Sequence, residues 1–120
     1  MCTYTTEQCP VSGSGKGPQR WTRLAAATVY YDHPVHAMAD HSLNIDFAPA
    51  GGSPGERVAL ELSAGAAVDL AATIVRALAS VPEDLTALDE ESAAVLAAMQ
   101  SSMAAVPGAE RSQPAGWLRR

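Results

Sequence analysis

Between residues 41 and 81 the hydrophobic period of this chain changes, and that change limits what it can fold into. In "HSLNIDF" (41–47), His41, Leu43, Ile45 and Phe47 alternate with Ser42, Asn44 and Asp46, the pattern of a strand with two unlike faces. "RVALELS" (57–63) repeats it, with Val58, Leu60 and Leu62 inward. Beyond Ser63, a good helix N-cap, Ala67, Leu70, Ala71, Ile74, Val75, Leu78 and Val81 fall on one helical stripe that Pro82 ends. Strands first and helices after them make an α+β protein.

The flanking segments fill in the plan. "CTYTTEQCPV" (2–11) reads as a first strand and "SGSGKGPQ" (12–19) as a turn region. "LAAATVYYDH" (24–33) is a second strand, stopped where Pro34 removes a ladder donor. "APAGGSPGE" (48–56) is a loop. A second helix is expected over 85–105, with Leu88, Val95, Leu96, Met99, Met103 and Val106 on one face and Thr86 and Asp89 as a capping pair. The expected architecture is a four-stranded antiparallel sheet followed by two helices packed on one face. The other face is either solvated or paired with a second subunit.

A single domain over 1–106 fits the length of 120 residues, and 107–120, rich in Pro and Gly, reads as a flexible tail in which Trp117 could anchor. Alanine supplies much of the 48% apolar content and aromatics are only 5%, so the core is thin. A homodimer that covers one sheet face would suit it.

Charge and hydropathy exclude several classes. The net charge is −5 with no basic stripe, which argues against nucleic acid. No apolar run approaches the roughly 20 residues that span a bilayer, and "MCTYTTEQCP" has no signal-peptide pattern. A cytoplasmic protein with reduced Cys2 and Cys9 is the expectation.

Two tempting motifs fail. "GSGKG" (13–17) is no phosphate loop: the glycine required five residues before Gly15 is Pro10, and Gly17 stands where Ser or Thr should follow Lys16. If Cys2 and Cys9 lie in one strand they are about 23 Å apart and on opposite faces, a poor geometry for a disulfide, and their separation is no zinc-ligand spacing.

The stretch "YYDHPVHAMADH" (30–41) holds all three histidines of the chain, His33, His36 and His41. If 34–40 is a hairpin loop, closure brings His33 and His41 to a Cα separation of about 5 Å, with His36 able to fold back over them. Pairing of the first two strands puts Cys2 at the same sheet edge and Cys9 at the far one. Removal of Met1 would leave Cys2 with a free α-amine.

Three readings follow. In the first, His33, His36, His41 and Cys2 bind a divalent transition metal. Four ligands would fill a tetrahedral site, and three would leave a Lewis-acid position open. Imidazole suits Zn, Cu, Fe and Ni, and a thiolate tilts the preference toward Zn or Cu(I). Asp32 and Asp40 would ligate or hold ring N–H groups. In the second, Cys2 is the nucleophile of a metal-free enzyme acting on a small molecule, His33 or His41 is its base, and Asp32 or Asp40 orients that base. In the third, the chain is a non-catalytic dimeric or ligand-binding module. His41 then belongs to the core and each Asp before a His caps a turn.

The blocks "MCTY" (1–4), "VSGSGKG" (11–17), "YYDHPVHA" (30–37) and "LNIDF" (43–47) resemble a small family of uncharacterised actinobacterial proteins, a domain of unknown function. The resemblance covers about residues 1–81, with a helical extension over 82–106. It implies a bacterial, cytoplasmic protein linked to specialised metabolism, and it carries no catalytic residues over.

Overall fold

The computed structural model describes residues 4–51 and 54–106. Two compact units divide the chain, one ending at Val68 and the other beginning at Asp69. The first is built on four strands, β1 (Thr5–Lys16), β2 (Trp21–Asp32), β3 (Ser42–Pro49) and β4 (Val58–Leu62), in the order β1-β2-β3-β4 with every pair antiparallel. A short turn of helix, Pro54–Glu56, precedes β4. The helices α1 (Ala64–Ala79), α2 (Glu83–Thr86) and α3 (Glu90–Ala104) follow, so the chain is α+β. No helix among the described residues is long and apolar enough to cross a membrane.

The ladder register separates two sheet faces. Ala27, Val29 and Tyr31 of β2 stand opposite Phe47, Ile45 and Leu43 of β3, which stand opposite Val58, Leu60 and Leu62 of β4. The other face carries Thr28, Tyr30 and Asp32, then Asp46, Asn44 and Ser42, then Ala59 and Glu61. This is the division that the alternation of 41–47 and 57–63 predicts.

Burial does not follow polarity. Leu43, Ile45 and Phe47 are only half-buried, whereas Ser42 and Asn44 retain 1% and 4% of their surface. The pair is satisfied internally, since the Ser42 hydroxyl donates to Asn44 Oδ1 at 2.6 Å. Leu24 and Ala27 complete the buried apolar positions of this unit.

The expected first strand and turn are corrected. β1 continues through "SGSGK" to Lys16, and a tight turn closes at 17–20 with the Gly17 N–H donating to Arg20 O at 2.9 Å. Pro10 lies within β1, which is an edge strand where a missing N–H is tolerated. The ladder slips between Pro10 and Gly13, a bulge that bends the strand instead of ending it. A second slip lies between Leu24 and Ala26 on β2.

These bulges coil the sheet. Laid flat, β1 and β4 would stand about 14 Å apart, three strand spacings. A Cβ built on Gly15 of β1 would lie only 3.1 Å from Val58 Cγ2 of β4 and 3.2 Å from Leu24 Cδ1. Gly15 thus marks a close approach of strands and not a flexible turn. At the same end the Arg20 guanidinium pairs with the Glu56 carboxylate.

Helix α1 begins where expected, in the first unit, and continues past the Val68/Asp69 division. Ser63 Oγ accepts the Ala66 N–H at 3.1 Å. Val75 is buried, but Leu70, Ile74, Leu78 and Val81 of the expected stripe remain substantially exposed. The single helix expected over 85–105 is divided. Ala87 takes a left-handed conformation, φ 49°, and Asp89 is extended with its carboxylate accepting the Ser92 N–H at 2.7 Å. Asp89 therefore opens α3, while the Thr86 hydroxyl bonds back to Glu83 O at 3.1 Å within α2. The capping pair fails because Asp favours capping over a helix interior. The tail 107–120, with Trp117, lies outside the described residues.

Candidate functional site

The β2–β3 connection runs from His33 to His41, between Asp32 opposite Ser42 on the ladder and the loop tip. Closure brings His33 and His41 together as the spacing predicts. Their ring centroids are 4.8 Å apart with 24° between planes. His41 also stacks on Tyr31, centroids 6.0 Å apart and planes 10° apart, and takes the edge of Tyr4 at 5.4 Å. His41 is half-buried and His33 exposed.

His33 is oriented by its own loop. Its Nδ1 lies 2.6 Å from the Asp40 carbonyl oxygen. A carbonyl can only accept, so Nδ1 donates, and in the neutral ring Nε2 is the nitrogen with the free lone pair. The Asp32 carboxylate accepts the His33 backbone N–H at 2.6 Å, a local turn bond. The ring of His33 is thus held by the Asp40 backbone, where the sequence pointed to an aspartate carboxylate.

His36 enters differently. Its backbone N–H donates to Glu61 Oε1 at 2.9 Å, the Ala37 N–H donates to the same oxygen at 2.8 Å, and the Val35 N–H donates to Oε2. Three consecutive amides therefore converge on one carboxylate, an anion-binding nest. The Val35 N–H, followed by those of Ala37 and His36, holds the Glu61 carboxyl below its ordinary value against some desolvation. Glu61 projects from the polar face of β4, so it ties the connection to that face. Nothing in "RVALELS" marks it except its parity opposite Leu60 and Leu62.

Beside this nest the polar face forms a cleft of about 660 Å³ lined by Tyr30, Asn44, Asp46, Arg57, Ala59 and loop residues including His36. Asp46 Oδ2 accepts from the Tyr30 hydroxyl at 3.2 Å and from Arg57 Nη1 at 3.1 Å. Burial and the nearby Asp46 carboxylate raise the Tyr30 phenol above its ordinary range.

Cys2 lies outside the described residues. The ladder runs towards the histidines at this end, with Thr5 opposite Tyr31 and the Tyr4 N–H donating to Tyr31 O at 3.0 Å. Cys9 is free, exposed and opposite Ala27, away from the histidine pair. Among the described residues, no group of three or more His, Cys, Asp or Glu is arranged to hold a metal ion.

The model of a family of unknown function, DUF6295, matches residues 1–87. That span includes the whole sheet, α1 and α2 and stops before α3. No curated protein and no solved structure matches the chain.

Proposed function

Because the chain belongs to DUF6295, a family of unknown function, we propose its function from its own residues: it binds a divalent transition metal through His33 and His41. Cys2 is the third ligand, and His36, on the exposed loop, is available as a fourth. The observation that carries this reading is the 2.6 Å contact from His33 Nδ1 to the Asp40 carbonyl. It fixes the tautomer in which Nε2 is a ligand, the usual arrangement behind a metal-binding imidazole. The His41 ring lies 4.8 Å away, within reach of the same ion once the stacked rings turn to aim their nitrogens together. The direction of β1 supports delivery of the chain start, and with it a thiolate, to the same end. Zinc is the preferred ion, with copper, iron and nickel as alternatives for imidazole. With three protein ligands, the fourth position would take water or a small-molecule substrate, which the ion would activate as a Lewis acid.

The test is elemental analysis of untagged protein purified without immobilised metal, followed by zinc titration of the chelator-treated chain. The expected result is saturable binding that His33→Ala and His41→Ala each remove, with Cys2→Ser weakening it. Absence of both co-purified metal and saturable binding refutes the proposal.

A further inference from the structure

The polar sheet face carries a second feature, a pair of polar groups on β3 in the cleft that His33 and His36 also line. Asn44 sits at the floor of the cleft beside Glu61 with 4% of its surface exposed. One half of its amide is used: Oδ1 accepts the Ser42 hydroxyl. The other half, Nδ2, has no protein partner among the described residues, and none of their buried side-chain nitrogens or oxygens is left unsatisfied. The amide nitrogen is therefore open to the cleft through a narrow window. A donor held in place by a buried side chain yet open to the cleft is available to a ligand that displaces water from it.

Two residues along the same strand face, Asp46 offers the complementary group. Both of its bonds, from Tyr30 and Arg57, land on Oδ2. Oδ1 is left as an acceptor, about 6–7 Å along the strand from the Asn44 donor. Ala59 of β4, opposite Asp46, is small and keeps the space above these groups open. The cleft volume of about 660 Å³ falls within the roughly 300–1,000 Å³ of small-molecule sites.

Charge decides the class of ligand. Asp46 is paired with Arg57, and the Glu61 carboxylate is satisfied by three backbone amides. An anion would meet two carboxylates against one guanidinium. A cation would meet a guanidinium at the rim and waste the Asn44 donor. A hydroxyl both donates and accepts, so adjacent hydroxyls on a neutral molecule satisfy Asn44 and Asp46 together. We propose that this cleft binds a small neutral polyhydroxylated ligand, a sugar or polyol, with Asn44 donating to it and Asp46 accepting from it.

The test is nuclear magnetic resonance titration of the full chain with glucose, ribose and inositol as neutral probes, and glycolate and ethanolamine as charged ones. A chelator is present throughout, so failure of the metal reading leaves this measurement intact. At least one neutral probe should shift the Asn44 side-chain amide saturably. Ala59→Leu, which fills the cleft from an exposed position on an edge strand, should weaken that probe roughly tenfold or more. If Ala59→Leu disturbs the fold, intermolecular Overhauser contacts between probe and Asn44 amide in the unaltered chain decide the same question, and their absence overturns the proposal. No saturable shift with any neutral probe, a shift with a charged probe alone, or unweakened binding to folded Ala59→Leu would each overturn it too.

Discussion

Glu61 on β4 and Ala37 in the β2–β3 connection are joined by a 2.8 Å hydrogen bond from the Ala37 backbone N–H to the Glu61 carboxylate. The contact spans 24 residues of sequence and is repeated by the neighbouring amides of His36 and Val35. These bonds tie the tip of the connection to the polar face of β4, at the rim of the cleft that Asn44 also lines. The histidines at its two ends are set by ladder closure, and its tip is set by this carboxylate.

Protonation of Glu61 should release the loop. Its folded pKa lies below the ordinary glutamate value, so its contribution is complete above that value. The contribution is lost as pH falls through the depressed folded pKa. Hydrogen exchange at Val35, His36 and Ala37 should accelerate over that acidic window while the β2–β3 ladder amides stay protected. Glu61→Ala should give the fast exchange already at neutral pH. Equal protection of the three amides in the variant and the parent would show that the loop is held by other contacts.

How far the sequence reaches is visible in these same residues. The alternation in 41–47 and 57–63 locates two strands, their faces and Glu61 on the polar side. Pro34 and the flanking histidines locate the hairpin, and Ser63 locates the start of α1. Those are local signals. The burial of Ser42 and Asn44 is not legible in the alternation, which marks both only as polar-face residues. The continuation of β1 through "SGSGK" is hidden as well. Gly15 reads as a turn residue until Val58, from the far edge of the coiled sheet, is seen against it. The division of the last helix turns on a competition at Asp89 that periodicity does not weigh.

His33 and His41 should separate in stability though both are proposed to bind metal. His41 stacks with Tyr31 and His33 and meets Tyr4 edge-on, and each aromatic pair is worth about 0.5–1.5 kcal/mol. His41→Ala in the metal-free chain should therefore lose about 1–3 kcal/mol in urea denaturation. His33→Ala, at an exposed ring, should lose much less. Equal losses would mean that the His33–Asp40 contact organises this end of the sheet.

Close approach at Gly15 makes a graded prediction. The nearest groups to a new Cβ are methyls of Val58 at 3.1 Å and Leu24 at 3.2 Å. Alanine requires those side chains to give by a few tenths of an ångström and should cost little. Valine adds two further carbons in a coiled, crowded corner and should cost about 1–3 kcal/mol, the usual range for overpacking. Thermal denaturation of Gly15→Ala and Gly15→Val checks the order. A valine variant as stable as the parent would mean that the two sheet edges are not held this close.

Ser42 and Asn44 make the sharpest test of the covered polar face. Ser42 is 1% exposed and its hydroxyl donates to Asn44 Oδ1 at 2.6 Å. Ser42→Ala removes the donor but leaves the buried acceptor, so the desolvation of Oδ1 is no longer compensated. That asymmetry costs about 1–3 kcal/mol, more than the modest net worth of the hydrogen bond itself. Replacing both residues in a Ser42→Ala, Asn44→Leu chain should recover part of the loss, because no orphaned polar group remains. The measurement is a double-mutant cycle by urea denaturation. If Ser42→Ala alone is neutral, water reaches Asn44 Oδ1 and takes the place of the lost donor.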